Sequence, residues 1–232
     1  MEEWKNYSRR EFIRNSLMGG AAITMLPSFK WFSDRKDDLT HLCVLHTNDM
    51  HSHVDPFPLD DPKYPGKGGM SRRASLIEYF RKKHEHVILL DAGDIFQGTP
   101  YFNFYGGEVE FRLMSKMKYD ACTMGNHDFD NGLEGFNKML PFAEFPFLCS
   151  NYDFSDTLLH NKTSAYSVLN EGDISIGIFG IGIELDGLVD KKNYGSAQYL
   201  DPVKTANEKA RFLRHEMKCD LVICLSHLGY EY

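Results

Sequence analysis

Aspartate, asparagine and histidine recur in four short segments of this chain, each placed after an apolar run. The segments are Asn48-Asp49-Met50-His51, Asp91-Ala92-Gly93-Asp94, Gly125-Asn126-His127-Asp128 and Ser226-His227-Leu228-Gly229. The apolar runs before them, 42–45, 87–90, 121–124 and 221–225, read as strands. Strands lying side by side in one sheet would carry all four segments to one edge, where α/β proteins build sites. Oxygen and nitrogen donors gathered there suit divalent cations. The chemistry this allows is metal-assisted hydrolysis.

Each segment predicts a role. Asp49 and His51 are two residues apart, and in extended backbone such side chains point the same way, so both could meet one cation. Gly93 permits a sharp turn that leaves Asp94 projecting at a strand end, and its two carboxylate oxygens could bridge two cations. Asp91 reads as a turn residue or an acceptor behind the site. Asn126 offers a neutral carbonyl oxygen as a ligand. His127 is its immediate neighbour, so its side chain should diverge toward the substrate, where it could hold a phosphoryl group or protonate a leaving oxygen. Asp130, three residues on, could orient that imidazole. His227 follows an apolar strand and reads as a further ligand.

The elements that would position these residues alternate. Residues 41–47 predict a first strand, 70–84 a helix, 86–90 a strand, 108–117 a helix, 121–124 a strand, 133–140 a short helix and 147–150 a fourth strand. In the second of these helices Val109, Leu113 and Met117 fall at helical spacing. Residues 164–169 and 174–181 predict a hairpin around Asn170-Glu171-Gly172-Asp173. Asp201-Pro202 opens a helix as N-cap and first-turn proline, with Val203, Ala206, Ala210, Leu213 and Met217 as its core stripe. Residues 221–225 form the last strand. Strands alternating with helices argue for a layered α/β sandwich, and the hairpin makes its sheet mixed. Residues 53–69, rich in Pro, Asp and Gly, form a long loop beside the site.

Composition narrows the function classes. The 232 residues are 42% hydrophobic and 25% charged, an ordinary globular balance, with room for a sizeable core. A net charge of −7 lacks the basic excess of a nucleic-acid binder. A small anionic substrate held by cations remains compatible with it. The five cysteines include no CxxC pair and predict neither a disulfide framework nor a zinc finger. Cys43, Cys122, Cys149 and Cys224, lying in apolar runs, are expected to act as small buried hydrophobes.

The N-terminus reads as an address. Ser8-Arg9-Arg10-Glu11-Phe12-Ile13 precedes a short apolar stretch, a pattern that resembles a bacterial twin-arginine export signal. Residues 1–38 are therefore read as signal and linker, and 39–232 as the catalytic domain. The expected location is the periplasm or cell envelope of a bacterium. Left uncleaved, the segment would tether the protein to the membrane.

Taken together, Thr47-Asn48-Asp49-x-His51, Gly68-Gly69-x-x-Arg72-Arg73, Asp91-x-Gly93-Asp94, Gly125-Asn126-His127-x-Phe129-Asp130 and Ser226-His227-Leu228-Gly229 resemble the catalytic domain of bacterial 5′-nucleotidases, members of the calcineurin-like metallophosphoesterases. The resemblance implies a four-layer αββα sandwich and two divalent metal ions, zinc or manganese before iron or cobalt. It implies that Asp49 and His51 bind the first metal, that Asp94 bridges both, and that Asn126 and His227 bind the second. His127 and Asp130 would form the catalytic dyad. The implied reaction is removal of phosphate from nucleotides by metal-activated hydroxide. Alternatives are a 2′,3′-cyclic nucleotide phosphodiesterase or a thiosulfohydrolase of the same superfamily, or a non-catalytic half-site completed by another chain. The family pattern continues into a further strand, a Gly-His-x-His segment and a nucleoside-binding domain. Those parts are expected in a longer form of the chain or from a partner. Without them the strand at 221–225 would keep an open edge.

Overall fold

The computed structural model describes residues 40–229. The N-terminal segment read above as an export signal lies outside the described residues. In chain order the elements are β1 (Leu42–Thr47), α1 (Met70–Lys83), β2 (His86–Asp91), α2 (Pro100–Tyr105), α3 (Glu108–Lys116), β3 (Ala121–Cys122), α4 (Gly132–Met139), β4 (Tyr152–Asp153), β5 (Ser167–Glu171), β6 (Ile174–Gly182), α5 (Lys191–Tyr194), β7 (Gln198–Tyr199), α6 (Pro202–Arg211) and β8 (Leu221–His227).

Three sheets form rather than one. β1, β2 and β3 pair in parallel, with Thr47 opposite Asp91 and Asp91 opposite Cys122. β5 and β6 form the expected hairpin, and β8 adds to β6 in parallel, ending with His227 opposite Gly182. β4 and β7 make a small antiparallel pair. The strand before His227 therefore lies in a different sheet from the strands before Asp49 and Asp94, and the expectation of one shared sheet edge is corrected.

Side-chain alternation along the strands separates the core into layers. Leu89 on β2 faces Met70 and Ile77 of α1 and Phe111 and Met114 of α3. Ile88 and Leu90 point the other way and pack with Ile176 and Ile178 of β6 and Leu225 of β8. Phe179 and Ile181, on the outer face of β6, meet Leu213 and Cys219, with Ala206 and Ala210 of α6 beside them. Helix, sheet, sheet, helix is thus the order of the layers. Phe96, Phe111, Phe136 and Phe147 lie together and are fully buried, each contributing about 1.5–3 kcal/mol through burial.

The expected strand at 147–150 does not form a ladder, because the segment changes partner along its length. Leu148 N–H donates to Cys122 O, Cys149 N–H to Ser164 O and Ser150 N–H to Gly180 O. The segment thus stitches the first sheet to the second. A Cβ on Gly180 would overlap the Leu148 carbonyl oxygen, so this close approach requires glycine.

Two helices differ from their periodic reading. On α3 the buried face is Glu110, Phe111, Met114 and Ser115, rotated from the Val109–Leu113–Met117 stripe, though Met117 is also buried. On α6 Asp201 caps the helix by accepting Lys204 N–H at 2.9 Å, but a π-turn at Phe212–Glu216 shifts the register. Val203 is left 67% exposed and Met217 42% exposed, while Leu213 is buried. All five cysteines are free; Cys219 is buried, Cys43 half-buried and Cys224 exposed. The expectation that Cys224 is buried fails because, among the described residues, β8 pairs only with β6.

Candidate metal centre

β1 and β2 run parallel, so the loops leaving their C-terminal ends emerge side by side. Ala92 N–H donates to Thr47 O, Asp49 N–H to Gly93 O at 2.9 Å and His51 N–H to Asp94 O at 3.0 Å. The two loops are zipped together beyond the sheet. The backbone there is not extended: Asp49, His51, Ser52 and Asp94 have φ of 49°, 45°, 52° and 57°. Asp49 and His51 do face one place, with His51 Nε2 3.8 Å from Asp49 Oδ1, but left-handed turns bring them there and not the alternation of a strand. Such residues cost of order 1–3 kcal/mol each and persist where the surroundings over-determine them. Asn48 adds to this by donating its side-chain amide to the Asp49 carboxylate.

Asp94 is at the middle. Its Oδ1 accepts His127 N–H at 2.8 Å. Its Oδ2 lies 3.8 Å from His51 Nε2 and 3.3 Å from His227 Nε2. One carboxylate oxygen thus stands between two imidazoles brought from two different sheets. Burial pushes the Asp94 carboxyl up, but the His227 imidazole and the His127 amide outweigh it and hold the group below its usual range. Burial pulls His227 down, and the same Asp94 carboxylate more than offsets it, raising His227 to about 9.

The tautomer of His227 follows from its second nitrogen, because Nδ1–H donates to Ala92 O at 2.8 Å. Metal-binding histidines commonly fix their ring this way, through a backbone carbonyl. Candidate ligand atoms of Asp49, Asp94 and His227 all lie within 4.8 Å of one another. The donor set is oxygen and imidazole nitrogen, from several loops, and it fits divalent cations.

His127 stands beside this cluster, its ring 5.2 Å from that of His51 and nearly perpendicular to it. Its Nδ1 lies 2.9 Å from Asp130 Oδ2, so it donates there and Nε2 is the atom that can meet a substrate. The 3-10 turn His127–Phe129 sets this three-residue spacing. Asn126 sits half-buried just before the turn, its backbone carbonyl accepting Phe129 N–H at 3.3 Å. Asn193 Nδ2 donates to Asp130 O at 3.2 Å, a contact no sequence pattern signals.

Asp128 has no role that its sequence position announces. It is fully buried, and its two oxygens accept four backbone N–H groups: Asp94 and Gly125 at one, Ile95 and Phe96 at the other, at 2.8–3.2 Å. Burial and the nearby Asp94 charge push its carboxyl up to about 7, against the bonds from the Gly125, Phe96 and Ile95 amides. It ties the turn after β3 to the turn after β2. Gly93 permits the approach, since a Cβ there would overlap the Gly125 amide. Asp128→Ala would leave four amides without their acceptor. Urea unfolding should show a loss of at least ~3 kcal/mol. A loss below ~1 kcal/mol would mean water replaces the carboxylate easily. Asp91 repeats the theme on the other side, accepting Thr47 Oγ1 at 2.6 Å and Gly93 N–H at 2.9 Å, and is a turn acceptor as the sequence reading allows.

The residue pattern of the calcineurin-like phosphoesterases matches residues 42–231. A snake venom 5′-nucleotidase from Crotalus adamanteus is 42% identical over 197 residues, covering 82% of this chain and 33% of that protein. Among solved structures, a 5′-nucleotidase precursor from Thermus thermophilus superposes with a TM-score of 0.73 at 33% identity, covering 82% of this chain and 37% of the other. An NAD nucleotidase from Haemophilus influenzae gives 0.71 at 30% identity, covering 81% and 34%. The chain spans about a third of the length of the curated relatives it matches.

Proposed function

The chain belongs to the calcineurin-like phosphoesterase family, and on that premise we propose that it is a metal-dependent hydrolase that removes phosphate from nucleotides. The observation that carries this is the convergence of Asp49, Asp94 and His227 within 4.8 Å, with the His127–Asp130 pair alongside. The names of the relatives, 5′-nucleotidase and NAD nucleotidase, support the substrate class.

Asp49 and His51 would hold one cation and Asn126 and His227 the second, with Asp94 shared. Bound cations would neutralise phosphate oxygens and acidify the attacking water. The chain's own residues do the rest. Asp94 keeps the two imidazoles on either side of one oxygen. Asp130 accepts Nδ1–H of His127 and fixes the orientation of the ring. When the ring also carries a proton at Nε2, that N–H is placed to hold the phosphoryl group and to pass its proton to the leaving oxygen, which leaves a neutral imidazole still donating from Nδ1 to Asp130. Export by the twin-arginine route is part of the proposal, supported by Ser8-Arg9-Arg10 and Phe12, and suits a protein that loads metal before it leaves the cytoplasm.

The test is phosphate release from AMP and UMP with manganese or zinc, repeated with a chelator, with NAD and a 2′,3′-cyclic nucleotide in the panel. Release from AMP and UMP that the chelator abolishes is the expected result. No release from folded, metal-bound protein would remove the hydrolase reading for this chain and leave a half-site needing residues from elsewhere.

A further inference from the structure

Among the described residues, the buried side-chain polar atoms without a hydrogen-bond partner are His51 Nδ1, Ser52 Oγ and both carboxylate oxygens of Glu110. Two of these side chains, Ser52 and Glu110, are neighbours. His51 and Ser52 are consecutive, and the Glu110 carboxyl faces the Ser52 hydroxyl, though outside hydrogen-bonding geometry.

Glu110 is unusual in its setting. It lies on the buried face of α3, with no exposed surface, next to Phe111 in the largest apolar cluster. A buried carboxyl is costly, and an apolar residue of similar shape would pack there at least as well. The first turn of α3 already carries a second acid, Glu108, which serves the helix end from the surface. Helix stability alone therefore does not account for an acid at 110. Burial also pushes its carboxyl above the ordinary range, against the contact with Ser52.

What Glu110 touches does account for it. Ser52 is fully buried with φ of 52°, and its backbone is held on two sides: its N–H donates to Ile95 O, and its carbonyl accepts Thr99 Oγ1 at 2.8 Å. Only its hydroxyl is left to be fixed. Ser52 follows directly on His51, whose own φ of 45° is equally disfavoured for a side-chain-bearing residue. A strained turn of this kind keeps its shape only when its neighbours hold it.

We propose that Glu110 is a positioning residue of the metal centre: through the Ser52 hydroxyl it holds the left-handed His51–Ser52 turn, and with it the His51 imidazole. This rests on the metal-dependent reading given above. Groups behind a metal ligand typically matter to affinity by about 10–100-fold.

The experiment is a manganese titration by calorimetry, with thermal melting, on the wild type and on E110L, E110Q, S52A and the E110L/S52A double variant. E110L is expected to melt at or above the wild-type temperature yet bind manganese about 10–100-fold more weakly. E110Q, which keeps a donor and an acceptor, is expected to restore affinity. S52A should match E110L, and the double variant should be no worse than either, since both remove the same contact. Wild-type affinity in E110L and S52A, or losses that add in the double variant, overturns the proposal while the metal-dependent reading stands. Should E110L not fold, S52A and E110Q decide it. A wild type that binds no manganese removes the metal-dependent reading and the positioning role with it.

Discussion

Asp94→Ala is expected to strip the protein of bound metal and to lower turnover on the order of 10³-fold or more, a loss of about 4 kcal/mol. The reason is position. Oδ2 of Asp94 stands 3.3 Å from His227 and 3.8 Å from His51, and Oδ1 anchors the amide of His127. No other described carboxylate reaches all three. Removing it leaves the two imidazoles to the exposed Asp49 carboxylate and frees the turn that carries His127. Asp94→Asn separates these effects, because the amide oxygen can still accept the His127 N–H while the charge is gone. Metal content after gel filtration is the readout. Full metal content in Asp94→Ala would contradict a shared ligand at this position.

His127→Ala should behave in the opposite way. Its Nδ1 is committed to Asp130 at 2.9 Å, so Nε2 is the atom left for a substrate. Turnover is expected to fall by ~10²–10⁴, the usual worth of a positioned acid–base group. Manganese affinity should stay at the wild-type value. Asp130→Ala should lie between the two, because the imidazole survives but loses its orientation. Unchanged turnover in His127→Ala would take this residue out of the chemistry.

Much of this arrangement is legible in the sequence, for identifiable reasons. α1, β2 and α6 can be read because their apolar periodicity or caps are local. The hairpin of β5 and β6 announces itself through Gly172 between two apolar runs. The site segments stand out because each sits at a strand end, or on the last residues of the strand itself. What the sequence hides depends on partners distant along the chain. β3 shortens to two residues because its neighbour at 147–150 leaves it to reach the second sheet. The buried face of α3 turns by one residue because Glu110 is drawn inward, which hydrophobicity cannot foretell. Asp128 looks like a spare polar residue in a turn, and nothing in its spacing says that it accepts amides from residues 94–96. Asp49 and His51 do pair, but strand alternation is the wrong reason, since the left-handed backbone that aims them comes from contact with the β2 loop.

The division of the site between two sheets bears on the order in which the protein acquires it. β1, β2 and β3 pair in sequence order, so this half can assemble as soon as it leaves the ribosome. His227 arrives last, on a strand that must slot beside β6 after α6 has folded back. Until then Asp94 has Asp49, His51 and the His127 amide beside it but lacks the His227 imidazole. A nascent chain would therefore offer metals an incomplete and weakly binding set of groups, and capture of ions would follow the closing of the sandwich instead of guiding it. Metal uptake would in this sense report that the second sheet has closed on the first with His227 seated beside β6.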